Sequence, residues 1–299
     1  MNTVRSRALC AAAAALGFLL ASCANTTRVT FEEPLQARSG LESVLAGQGP
    51  VAFTVEKGSH AGLYGCTVTY EVYRPAEPRT GTLVVLGHGF ASNLKAMRGW
   101  AARWASFGVP TAVLSFCNTT VFAGRHDRNA EDMVALARAL HDGPVLYAGF
   151  SAGGLAAYLA SGSDPRASAC LGLDAADSGG LALAKKADFR VPALFLMGEP
   201  SACNAKNNMI AAIPAREGVR ALRLRNAVHG HFQDPYDPLP ESVCGKVVPL
   251  EAAQRIMADI RSLATAWVLE ATGAMPEAGA LLEAAMSGAG DWEKRVEEL

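Results

Sequence analysis

The chain has 299 residues, half of them apolar and 18% charged, and its 27 basic against 28 acidic side chains leave a formal net charge of −1. That length and apolar share suit one large domain with a substantial core. The charge balance supplies no basic face for nucleic acid.

Arg5 and Arg7 open the chain with no acid among the first 22 residues, and an Ala/Leu-rich run follows from Ala8 to Ala21. The run falls short of the roughly 20 apolar residues a membrane-spanning helix needs. Charge, apolar run and small residues in that order predict an export signal over residues 1–22. The "LASC" of Leu20 to Cys23 resembles the lipobox of bacterial lipoproteins. That resemblance implies acylation of Cys23, which becomes the new N-terminus, and Ala24 in place of an aspartate implies the outer membrane. An ordinary secretory signal or an uncleaved signal anchor is the competing reading. The expectation is a water-soluble domain held at the bacterial cell envelope by a lipid anchor. Residues 23–50, polar and without periodicity, would form the tether.

"CTVTYEVYR" alternates with period two and predicts an edge strand with Val68, Tyr70 and Val72 on its covered face. "TLVVLG", "PTAVLSF", "VLYAGF", "ACLGL" and "VPALFLM" are continuous apolar runs, the pattern of strands buried on both faces. Helical patterns lie between them over Leu94 to Phe107, Ala130 to His141 and Ala152 to Ser161, each followed by a glycine. A longer one covers Leu250 to Ala271, with Ile256, Ile260, Leu263 and Trp267 on one face. Strand and helix in alternation predict an α/β domain over 51–272 with a mostly parallel central sheet flanked by helices. Residues 273–299 read as a weakly structured or helical tail. Only 16 residues separate Asp174 from Val191, too few for a separate cap domain.

In "GFSAGG", Ser151 stands where an apolar strand turns directly into a helix, with Gly149 and Gly153 around it. Such a turn lifts the hydroxyl above the sheet, beside the free N–H groups and positive end of the following helix. A serine merely capping that helix is the plainer alternative. A serine needs a base, and a histidine after a late strand can supply one. "NAVHGHFQDP" follows the strand-like "VRALRLR" and carries His229 and His231. His231 is the first choice, because a glycine before it permits a turn and an aromatic after it anchors the loop; His229 is second. For the acid that orients the base, Asp174 at the end of "CLGLD" comes first, then Glu199, then Asp177. Negative charge in the transition state calls for two backbone donors, expected at Ala152 and at Phe90 in "HGFASN".

Five cysteines lie beyond the signal. An exported chain meets an oxidising compartment, and an odd count leaves one thiol unpaired. Cys203 and Cys244, in polar loops flanking one strand, form the first expected pair and Cys66 with Cys117 the second. Cys170 then remains as a buried thiol. No Cys-x-x-Cys occurs, and His229 with His231 would be half a zinc site without further ligands. No metal site and no cofactor are implied.

"GHGFASN", "GFSAGG", "GLDAAD" and "HGHF", in this order, resemble the α/β-hydrolase fold over about residues 64–270. The pattern is most similar to chlorophyllase-type esterases, with dienelactone hydrolases and cutinase-like polyester hydrolases close by. The chlorophyllase-like pattern implies Asp174 as the acid; the polyester-hydrolase pattern would want an aspartate at position 201, where this chain has Ser201. The expected function is hydrolysis of carboxylic esters through an acyl-enzyme. The expected site is open, roofed at most by the loop from Glu199 to Gly218 with its apolar Met209, Ile210 and Ile213. These residues together with the membrane anchor point to a small-molecule or lipid-like substrate, a lipophilic acyl or aryl ester. An acyltransferase or amidase with the same residues, or a catalytically silent envelope binding protein, are the alternatives. The oligomeric state is left open.

Overall fold

The computed structural model describes residues 40–119, 124–236, 244 and 248–299. The segment expected to be an export signal, and Cys23, lie outside the described residues.

Nine strands form one sheet: β1 Phe53–Ala61, β2 Thr67–Pro75, β3 Leu83–Gly87, β4 Thr111–Ser115, β5 Val145–Phe150, β6 Ala167–Leu173, β7 Ala193–Met197, β8 Val219–Leu224 and β9 Val296–Glu298. Their order is β1-β2-β4-β3-β5-β6-β7-β8-β9. The six strands from β4 to β8 in that order run parallel, while β1, β2 and β9 are antiparallel additions at the two edges. The apolar runs are the inner strands, and every residue of β3, β5 and β7 is buried. Alternate side chains enter two cores. Leu86, Ala148, Leu171 and Leu194 face one, and Val85, Tyr147, Cys170 and Ala193 the other.

The first core is closed by α1 (Gly40–Ala46), α2 (Arg98–Ser106), α6 (Leu250–Thr272) and α7 (Gly279–Met286). The second is closed by α3 (His126–Leu140), α4 (Ala152–Ser163) and α5 (Leu181–Ala184). The chain is therefore an α/β fold with a mostly parallel sheet between two helical layers, and the described residues include no separate cap domain. None of the described helices is long and apolar enough to cross a membrane.

Three expectations are corrected. The alternating strand β2 is second from the edge, and the edge is β1, whose polar "FTVEKGSHA" carries no apolar run to reveal it. The packed chain begins before residue 51, because α1 sinks Leu45 completely into the first core. The C-terminal segment is helical over α7 and α8 (Trp292–Arg295), one of its two expected forms, but it is packed and not a loose tail: Leu282, Trp292 and Val296 are buried, and β9 pairs with β8. Both expected disulfides are present, Cys66–Cys117 and Cys203–Cys244, with Cα separations of 5.7 and 5.6 Å. Cys170 is the free cysteine among the described residues. Burial pushes its thiol up to about 12, which removes the reactive thiolate at neutral pH.

Candidate active site

Parallel strands β3, β5, β6 and β8 each deliver one part of the site at their carboxyl ends, with β7 lying between the last two. After β5 comes Ser151, with φ 54° and ψ −119°, a left-handed conformation that a non-glycine residue holds only at a cost. Its N–H donates to the Leu173 carbonyl at 2.9 Å, and its carbonyl accepts from Gly154 N–H at 2.9 Å. The glycines make this bend possible. A Cβ on Gly149 would lie 2.1 Å from the Gly153 carbonyl oxygen, and one on Gly153 would lie 2.5 Å from those of Gly87 and His88. No side chain fits between backbones that close.

After β8, His229 turns its Nε2 to the Ser151 Oγ at 2.9 Å and its Nδ1 to the Asp174 Oδ2 at 2.6 Å. With Nδ1–H donated to the carboxylate, Nε2 is the acceptor for the serine proton. The imidazole packs on the Phe150 ring, centroids 4.6 Å apart. His231, the first-ranked histidine, is not the one beside Ser151. Residues His229–Phe232 form a 3-10 turn, which advances about 120° per residue, so side chains two positions apart leave it in different directions. The His231 Nδ1 instead accepts from Val228 N–H at 3.2 Å, and its ring lies 5.9 Å from that of Tyr236. The anchor foreseen for the loop is real: Phe232 is fully buried and its carbonyl accepts from Trp100 Nε1 at 3.0 Å.

Asp174 follows β6 with φ 44° and no exposure. Besides His229, its carboxylate accepts from Gly198 N–H at 2.8 Å and from the Asn204 amide, 3.2 Å from each oxygen. The two lower-ranked acids are occupied elsewhere. Asp177 accepts from Ala182 and Leu183 N–H at the start of α5, and Glu199 accepts from Asn226 N–H at 2.9 Å. Sequence reasoning missed Asn204, an unremarkable polar residue in a loop; nothing local signals that its amide reaches back to Asp174.

The loop after β3 lies against the bend. A Cβ on Gly89 would sit 3.3 Å from the Ser151 Cβ, and Phe90 beside it is 42% exposed. His88 ties this loop to β4: its Nδ1–H donates to the Gly89 carbonyl at 2.7 Å and its Nε2 accepts from Phe116 N–H at 2.9 Å. Burial pushes the imidazole down to about 4, so it stays neutral. Ala152, the first residue of α4, has a backbone N–H with no partner four residues back, as the first turn of any helix does.

The residues expected to roof the site belong to the second core or pack against it. Met209 is fully buried in the second core, Ile210 and Ile213 pack against that core, and Tyr158 Oη donates to the Ala212 carbonyl at 2.9 Å. Among the described residues, one group has the donor types of a metal site, Cys66, Cys117 and Asp132. Its two sulfurs are joined to each other as a disulfide, which leaves a single carboxylate as ligand.

No protein-family model matches the chain, and no curated protein matches it. Fold and site together define an α/β protein with a serine, histidine and aspartate in hydrogen-bonded series at the carboxyl edge of a mostly parallel sheet.

Proposed function

We propose that this chain is a serine hydrolase of carboxylic esters, built on an α/β-hydrolase scaffold and acting through an acyl-enzyme. One observation carries the reading: the unbroken series Ser151 Oγ, His229 Nε2, His229 Nδ1 and Asp174 Oδ2, with links of 2.9 and 2.6 Å. In the proposed reaction Oγ bonds to the acyl carbon while its proton passes to Nε2, and Asp174 stabilises the imidazolium. The N–H groups of Ala152 and Phe90 receive the negative oxygen. Collapse returns the proton to the departing alkoxide, and water repeats the sequence on the acyl-serine. The exposed ring of Phe90, next in the chain to the Gly89 that meets Ser151, favours lipophilic acyl or aryl esters.

The N-terminal charges, apolar run and "LASC" support a site of action at the bacterial envelope, anchored through Cys23. The test is labelling with a fluorophosphonate probe. The full chain should be modified at Ser151, the Ser151→Ala variant should not, and in cells the labelled protein should sediment with membranes unless Cys23 is changed to serine. A panel of esters, amides and acyl acceptors then ranks turnover, with amides or transfer in first place redirecting the assignment. A wild-type chain that resists the probe would overturn the reading in favour of a binding protein.

A further inference from the structure

We propose that Asn204 is a positioning residue for the relay, fixing the Asp174 carboxylate and through it the His229 ring, and that the Cys203–Cys244 disulfide holds Asn204 in place. The inference rests on the serine-hydrolase reading and adds to it a residue that does not touch the reacting atoms.

Asn204 is completely buried, and its amide is used from both ends. Its Nδ2 lies 3.2 Å from both oxygens of Asp174 and donates to the Glu199 carbonyl at 2.9 Å, while its Oδ1 accepts from Ser201 N–H at 2.8 Å. A flipped amide would turn its oxygen towards a carboxylate and a carbonyl, so only one orientation is allowed. Gly198 N–H holds Oδ1 of Asp174, His229 holds Oδ2, and the Asn204 amide bridges the two. Without that bridge a buried carboxylate loses a donor and the freedom to rotate is restored.

The turn that presents Asn204 is expensive. Ala205, Lys206 and Asn207 follow it with φ of 49°, 56° and 59°, three successive non-glycine residues in the left-handed region. Strain of this kind persists only where the surroundings over-determine it, and it concentrates at functional sites. Here Lys206 N–H donates to the Ser201 carbonyl at 2.7 Å and Asn207 N–H to that of Asn204 at 2.9 Å. The Asn207 amide donates to the Gly198 carbonyl at 2.9 Å, bracing the same residue that binds Asp174. Immediately before Asn204, Cys203 is bonded to Cys244, which lies in the chain beyond the histidine loop. One covalent tie therefore joins the loop holding the acid to the segment that follows the base.

The experiment compares the full wild-type chain with Asn204→Ala, with the near-isosteric Asn204→Asp, and with Cys203→Ser combined with Cys244→Ser. Asn204→Asp keeps an acceptor for Ser201 N–H and loses the donor to Asp174. Both Asn204 variants should lose about tenfold or more in kcat with KM within about twofold, the loss expected of a hydrogen bond to a charged group that acts in the transition state. In each, the downfield proton resonance of His229 Nδ1–H should shift or broaden. The disulfide variant should lose kcat similarly, and adding Asn204→Ala to it should cost little more, because the two act through one path. Lower thermal stability with unchanged kcat and an unmoved resonance would overturn the proposal, leaving Asn204 a loop brace. Multiplying losses would overturn the role given to the disulfide. If the wild type itself resists the fluorophosphonate probe, the hydrolase reading has failed, and the resonance still decides whether Asn204 orients the pair.

Discussion

Two histidines stand two positions apart after β8, and a turn of three residues per revolution sends only one of them to Ser151. That geometry makes the residue-scale prediction sharp. His229→Ala should reduce kcat by roughly four orders of magnitude or more, as loss of the base does in such relays, and Asp174→Asn by a comparable factor. His231→Gln should retain kcat within about tenfold. Steady-state kinetics on an activated ester checks all three, and a collapse in His231→Gln with full activity in His229→Ala would refute the assignment. The preference for His231 used local clues alone, a flexible residue before it and an aromatic after it. Both clues describe how the loop is fastened, and neither fixes the direction in which a side chain leaves it.

At the scale of elements, the loop after β3 is stitched to the end of β4 through neutral His88. Its folded value of about 4 lies below the ordinary value of about 6.5. Between those pH values the unfolded chain binds a proton that the folded one refuses. The stability contributed is complete above about 6.5 and is lost as the pH falls towards 4, up to about 3 kcal/mol. His126, also pushed down by burial, adds to the same slope. Denaturant titrations from pH 7 to pH 4 should therefore show a shallower fall for His88→Gln than for wild type. Equal slopes would mean that His88 accepts a proton without loss in the folded state. The histidine loop is fastened in a different way. Although burial works against its charge, Asp234 is held below the usual carboxylate range by Arg261 and Arg103, which reach it at 3.3 and 3.0 Å from α6 and α2. The histidine loop is thus tied to two helices of the first core, α2 and α6.

For the whole molecule, the segment after Thr272 is structural. Leu281, Leu282, Trp292 and Val296 are each at least nine-tenths buried, and each such side chain contributes about 1.5–3 kcal/mol. Their sum is comparable with the total stability of a domain, about 5–15 kcal/mol. Arg295 adds a tie across the fold, lying 2.7 Å from Glu42 of α1, from Asp259 of α6 and from Asp291. A chain ending at Thr272 should consequently lose its cooperative thermal transition and its reaction with the fluorophosphonate probe. A truncated protein that melts like the full chain would contradict this account. Composition misleads here because an Ala/Gly/Glu-rich stretch resembles a solvated tail, while its few large apolar residues are enough to close the core.

The sequence by itself determined the inner strands, the bend at Ser151 and the position of Asp174. Each is written in a short window: an apolar run between glycines, small residues where backbones touch, a carboxylate at a strand end. The tertiary structure alone decided which histidine meets the serine, that α1 and β9 belong to the packed domain, that Met209 serves the core, and that Asn204 reaches Asp174. These depend on the direction in which a turn releases a side chain and on contacts between residues far apart in the chain, and a local pattern of residue types carries neither.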